Sequence, residues 1–127
     1  MAVRCLIVDD NRSFLTVASD LLEREGISVV GVASTATEAQ RKYRELKPDV
    51  ALVDVDLGED SGVDLARELA GPARATGAEV VLMSAHAQDD FTDLMATGPA
   101  LSFIPKSDLS GAAVRNILAG PQRGHAG

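Results

Sequence analysis

The chain has one cysteine, Cys5, so no internal disulfide and no sulfur-rich metal site can form. Cys5 sits inside the apolar run Cys5-Leu6-Ile7-Val8 and reads as buried packing, with a redox role as the lesser alternative. Aromatics supply only 3% of the residues and tryptophan none, which leaves an aliphatic core as the expectation. Basic residues are outnumbered 12 to 19, giving a net charge of -7, and no Lys/Arg cluster is dense enough to follow a phosphate backbone. Direct nucleic-acid binding is therefore not expected. No apolar stretch approaches the roughly 20 residues that span a bilayer, and the segment from Met1 meets Asp9 and Asp10 before any signal-peptide pattern develops. The expectations are no membrane partner and a cytoplasmic location.

What the chain does have is 127 residues, 46% of them hydrophobic and mostly Val, Leu, Ile and Ala, with 5 prolines. That is the size and composition of one compact domain in which aliphatic strands are covered by alanine-containing helices. The order of patterns agrees. Val3 to Val8 reads as a buried strand ending at Asp9-Asp10. Phe14, Val17, Ala18, Leu21 and Leu22 recur at helical spacing from Ser13 to Glu25, and Gly26 stops that helix.

Ile27 to Ala33 is a second β-branched run, and Thr35 with Glu38 forms a capping box for a helix ending near Leu46. Val50 to Val53 is a third strand that delivers Asp54 and Asp56. Gly62 to Leu69 carries Val63, Ala66, Leu69 and Ala70 on one side of a third helix, which Gly71-Pro72 is expected to break. Glu79 to Met83 is a fourth strand. Phe91, Leu94 and Met95 mark a fourth helix, Ala100 to Ile104 a fifth strand, and Leu109, Ala112, Ala113 and Ile117 the inward stripe of a last helix. The expected organisation is one domain over residues 1–119, followed by a flexible tail, 120–127, whose largest hydrophobe is alanine and which contains His125.

A parallel sheet with helices on both faces holds its ligands outside the carboxyl ends of its strands. Asp9-Asp10, Asp54, Ser84 and Lys106 all fall there, after strands one, three, four and five. Each alone is an ordinary loop residue; together they imply a site. Carboxylates drawn close repel, by about 4 kcal/mol for a pair 4 Å apart at an effective dielectric of 20, so a cation must offset them. An oxygen-only donor set favours a hard divalent ion, with Mg²⁺ as the expected cofactor. Asp10 and Asp54 are read as direct ligands, the backbone carbonyl of Asp56 as a third, and Asp9 as acting directly or through water. Lys106 would supply a mobile positive charge and Ser84 a hydroxyl donor. The set suits an aspartate nucleophile attacking phosphorus in line, with an acyl phosphate as product.

With these residues in view, the sequence resembles the receiver domain of bacterial response regulators over residues 3 to 119. Asp9-Asp10, then 44 residues from Asp10 to Asp54, 30 to Ser84 and 22 to Lys106, match the family's spacing, and Gly62 falls where the family places a glycine. The resemblance implies a flavodoxin-like (βα)5 fold, a five-stranded parallel sheet of order 2-1-3-4-5 flanked by five helices. It further implies Asp54 as phosphoacceptor, Asp9 and Asp10 on Mg²⁺, Lys106 on the phosphoryl group, and Ser84 with Phe103 as switch residues. The partners it implies are a sensor histidine kinase or phosphotransfer protein and a downstream protein or output domain. Phosphotransfer is followed by autodephosphorylation, and the signal leaves through a changed face of helix four, strand five and helix five. The domain would thus catalyse its own phosphorylation and dephosphorylation while acting mainly as a switch.

Phe103 also has a plain reading as a core residue, and strand alternation leaves open which side it faces. His86 and Asp56 are candidate modulators of hydrolysis or kinase contact, with a solvated loop residue as the plainer reading of His86. Three positions depart from the family pattern: Leu57 is followed by Gly58 instead of proline, Ser102 replaces a glycine, and Ser107 replaces a proline after Lys106. The first predicts a more mobile loop after Asp54. The competing readings are a receiver cut from a DNA-binding regulator, a non-phosphorylated binding scaffold, and an aspartyl-nucleophile hydrolase. Apolar residues Phe91, Leu94, Met95, Val114 and Leu118 suggest a phosphorylation-dependent interface, including a homodimer.

Overall fold

A computed structural model describes residues 3–76, 78–85 and 102–119, with residues 72–76 defined by their backbone. Five strands form one parallel sheet: β1 (Val3–Val8), β2 (Ile27–Ala33), β3 (Val50–Asp54), β4 (Glu79–Ser84) and β5 (Ser102–Pro105). They lie in the order β2-β1-β3-β4-β5, the order that the resemblance implies. Helices α1 (Arg12–Arg24), α2 (Ala36–Leu46) and α3 (Gly62–Thr76) follow the first three strands, and a C-terminal helix, Gly111–Ala119, follows β5. The chain leaves β1 for β2 on one side and returns to β3 on the other. That reversal opens a crevice between the ends of β1 and β3.

The three central strands alternate between two cores. Leu6, Val8, Ala51, Val53, Val80 and Leu82 pack with Ala39 and Tyr43 of α2 and Leu65, Ala66 and Leu69 of α3. Cys5, Ile7, Val50, Leu52, Val81, Met83 and Ile104 pack with Leu15, Ala18 and Leu22 of α1 and Val114 of the C-terminal helix. With both faces covered, Cys5–Val8 of β1 and Val50–Val53 of β3 can be continuously apolar, and truncating a side chain such as Leu52 would cost about 2–5 kcal/mol. Burial also pushes the Cys5 thiol up to about 12, which fits a packing role.

Several helix assignments need correction. Leu15, Ala18 and Leu22 form the buried stripe of α1, whereas Val17 is 64% exposed. Gly71-Pro72 does not end α3, which continues to Thr76. Proline's fixed φ is helical, and the one hydrogen bond it removes would run to Glu68, on the exposed face where water can replace it. The C-terminal helix starts at Gly111, with Ser110 Oγ accepting from the Ala113 N–H at 3.0 Å. This phase turns Ala112 outward and buries Val114 completely, so Val114 is core and supplies no interface. The fifth strand begins no earlier than Ser102 among the described residues. His86, the expected fourth helix with Phe91, Leu94 and Met95, and the tail lie outside the described residues.

The Thr35 cap forms as expected: its side chain accepts from the Glu38 N–H at 3.1 Å. Glu38 reaches one residue further back than in an ideal box, to the Ser34 N–H at 2.9 Å. A carboxylate from elsewhere assists, since the Ala36 N–H donates to Asp60 Oδ2 at 3.0 Å.

Candidate functional site

The sheet brings Asp9, Asp10, Asp54, Ser84 and Lys106 to one cleft of about 280 Å³, which Asn11, Asp56 and Gly58 also line. Each arrives there because its strand ends there: Asp9 and Asp10 follow β1, Asp54 closes β3, Ser84 closes β4, and Lys106 opens a 3₁₀ turn after β5. Their burial differs. Asp9 is wholly buried, Asp54 is 5% exposed and Ser84 is buried, whereas Asp10 and Asp56 face solvent.

One carboxylate oxygen from each of Asp9, Asp10 and Asp54 lies within 4.8 Å of the others, a spacing that allows them to share a metal ion. The two oxygens of the Asp9 carboxylate are held differently. Its Oδ1 accepts from the Asn11 N–H at 2.9 Å. Its Oδ2 is buried with no donor aligned for a hydrogen bond, and its charge is met by Lys106 Nζ at 2.6 Å. Lys106 Nζ also donates to Asp54 Oδ2 at 3.3 Å, while Asp54 Oδ1 accepts from the Asp56 N–H at 3.2 Å. Burial, opposed by that N–H and reinforced by the charge of Asp9, pushes the Asp54 carboxyl up from 3.8 to about 6. For Lys106, burial works against the charge, but the contacts with Asp9 and Asp54 outweigh it, and its pKa is raised.

Two glycines shape this cleft. Gly62 opens α3 with its N–H bonded to the Val55 carbonyl at 3.1 Å, and a Cβ here would overlap the carbonyl group of Asp54. Only glycine lets the helix start against the backbone of the candidate nucleophile. Gly58 has φ +63°, a conformation closed to proline, and turns a short hairpin in which Asp56 pairs with Ser61 and Leu57 with Asp60. A Cβ on Gly58 would stand 3.1 Å from Asp10 Oδ2. The residue that predicts mobility from sequence is thus used as a turn beside a candidate metal ligand.

Phe103 faces the core shared with α2 and α3, opposite Leu82 in register, and is only half-buried. This resolves which side of β5 it takes. Among the described residues no peptide bond is cis, the Lys106-Ser107 bond included. Sequence reasoning missed Asn11 and Phe14 as neighbours of the site. Asn11 caps α1 by accepting from the Phe14 N–H at 3.1 Å, and the Phe14 ring centroid lies 4.3 Å from Lys106 Nζ. The Asp-Asp-Asn run before an apolar stripe was a readable cap signal; the ring contact had none.

The fold agrees with what comparison with known proteins shows. Residues 5–112 match the response regulator receiver domain family, and the chain belongs to it as a receiver domain of two-component response regulators. It is 38% identical over 69 residues to the chemotaxis protein CheY of Thermotoga maritima, covering 54% of this chain and 58% of that protein. It is 35% identical over 117 residues to a protein-glutamate methylesterase/protein-glutamine glutaminase of Alkalilimnicola ehrlichii, covering 87% of this chain but 29% of that one. In both cases the match spans less than two thirds of the relative. The crystal structure of a LuxR-family two-component response regulator from Aurantimonas sp. SI85-9A1 superposes with a TM-score of 0.78 at 30% identity, covering 94% of this chain and 87% of that chain.

Proposed function

We propose that this receiver takes a phosphoryl group from the phosphohistidine of a sensor kinase or phosphotransfer protein onto Asp54, and later releases it by hydrolysis. The observation that carries this reading is the ion-paired trio of Asp9, Asp54 and Lys106 at the floor of a cleft that a small anion can enter. An Asp54 oxygen attacks phosphorus in line, the P–N bond to the imidazole breaks, and the imidazole nitrogen keeps the bonding pair. In the later step water attacks the phosphorus of the acyl phosphate, the P–O bond to Asp54 breaks, inorganic phosphate leaves, and the free carboxylate returns.

The acidic trio fits a divalent cation, since a buried Asp9 oxygen has no hydrogen bond and the donors are all oxygens. Mg²⁺, held by Asp9, Asp10, Asp54 and the Asp56 backbone carbonyl, would supply positive charge to the phosphoryl oxygens. Lys106 supplies a second positive charge, already within reach of Asp54. Its raised pKa keeps it protonated at neutral pH. Ser84 offers a hydroxyl to a phosphoryl oxygen from the end of β4, and Phe103, half-buried on β5 opposite Leu82, is the residue we assign to respond. Asp56 and His86 are the residues we assign to tuning the lifetime of the acyl phosphate. The changed surface would then contact a downstream protein, an output domain or a second copy. The reading keeps the protein in the cytoplasm with its kinase; among the described residues no helix is long and apolar enough to cross a membrane.

Intact-mass measurement with a small phosphodonor and Mg²⁺ tests this. One acid-stable, base-labile phosphoryl addition is expected, absent from Asp54→Ala and sharply reduced by a chelator. Labelling that persists in Asp54→Ala, or none in the wild type, overturns it. A second reading, a receiver that governs an attached output module, is favoured by the low coverage of the methylesterase; reading the coding sequence beyond the codon for Gly127 decides it.

A further inference from the structure

We infer that Phe14 is a positioning residue for Lys106, its ring face holding the ammonium at the cleft without adding charge to it. The inference rests on the phosphoacceptor reading of Asp54. Lys106 Nζ stands 4.3 Å from the ring centroid, within the range in which an ammonium is attracted by the negative face of an aromatic ring. The lysine side chain is 15% exposed, so water weakens the contact little.

The choice of an aromatic ring is chemically specific. An aliphatic side chain at this place would offer the ammonium no attraction. A further carboxylate would hold it, but would also repel the dianionic phosphoryl group and compete with it for N–H donors. The ring binds the charge and takes up no strong hydrogen bond, leaving the N–H groups of Lys106 for Asp54 and an incoming oxygen while its charge still faces Asp9. When a phosphoryl oxygen draws the ammonium away from the carboxylates, the ring is a partner for which no anion competes.

The backbone that carries the ring is tied to the same carboxylate as the lysine. Asp9 Oδ1 accepts from the Asn11 N–H, Asn11 Oδ1 accepts from the Phe14 N–H, the Phe14 ring meets Lys106 Nζ, and Nζ meets Asp9 Oδ2. Four contacts therefore close a circuit that starts and ends on Asp9. The first turn of α1 is tied to the same carboxylate that pairs with the lysine, so ring and ammonium are positioned by one residue.

The test uses the full chain as wild type, Phe14→Leu and Phe14→Tyr, each with Lys106 intact and as Lys106→Ala. Labelling by acetyl phosphate at saturating Mg²⁺ is followed by intact mass, and the ε-methylene proton shifts of Lys106 by NMR. With Lys106 present, Phe14→Leu is expected to slow labelling about fivefold and to abolish the upfield ring-current shift, and Phe14→Tyr to restore both. With Lys106→Ala, Phe14→Leu is expected to make no further difference. Equal slowing in both backgrounds means simple packing and overturns the inference, as does an unchanged rate in Phe14→Leu. A wild type that takes no phosphoryl group overturns the phosphoacceptor reading instead, a result distinct from a labelled wild type matched by Phe14→Leu.

Discussion

Asp54 should destabilise the protein that it equips. Its carboxyl titrates near 6 in the folded chain against 3.8 when free, because burial beside Asp9 outweighs the help it receives from the Asp56 N–H and Lys106. The native state therefore binds this proton more tightly than the unfolded state. Stability falls as pH rises from about 4 to about 6 and is flat above that. At 1.36 kcal/mol for each tenfold change in proton affinity, keeping Asp54 ionised costs about 3 kcal/mol at pH 7.5 and about half as much at pH 5. Asp54→Asn removes the charge while nearly preserving the shape. In metal-free buffer the variant should be more stable than wild type by roughly those amounts, with the gain vanishing near pH 4. Urea unfolding of both proteins at pH 5, 6 and 7.5, with a chelator present, measures the difference as a shift in midpoint at constant slope. Adding Mg²⁺ should narrow the gap by stabilising the wild type more. A gain that does not vary with pH, or a variant less stable than wild type at pH 7.5, would refute the reasoning.

Lys106→Ala leaves Asp9 Oδ2 buried beside Asp54 with no counter-charge, and should cost about 3 kcal/mol in metal-free urea unfolding. Mg²⁺ should recover more stability in this variant than in wild type, and a loss below about 1 kcal/mol would show that the pair is not buried as described. Gly62→Ala places a Cβ on the carbonyl of Asp54, so it should destabilise by at least about 2 kcal/mol and slow phosphoryl labelling together. Wild-type stability with wild-type labelling would contradict that close approach.

The sheet was legible because each strand is a short aliphatic run whose alternate residues fill two different cores, as Leu6 and Ile7 or Ala51 and Leu52 do. The cleft was legible for a related reason: polar residues at the carboxyl ends of Val3–Val8, Val50–Asp54 and Glu79–Ser84 can only converge once those strands lie parallel. Other features depended on three-dimensional context. Gly71-Pro72 carries a strong breaking signal, yet the exposed side of α3 tolerates one missing hydrogen bond. Phe14 shares the helical spacing of core residues, and nothing in that spacing marks its neighbour as Lys106, 92 positions away. Asp9 and Asp10 are adjacent and alike in sequence; successive directions at the end of β1 bury one and expose the other.

Asp60 and Ser61 are consecutive, and each holds the opening turn of a different helix: the carboxylate of Asp60 receives the Ala36 N–H of α2, and the hydroxyl of Ser61 receives the Asp64 N–H of α3 at 3.2 Å. The two helices are thereby yoked at a single joint just downstream of Asp54. A displacement of that joint would tilt both cylinders in concert, so a protein gripping α2 would sense an event at the end of β3 without touching it.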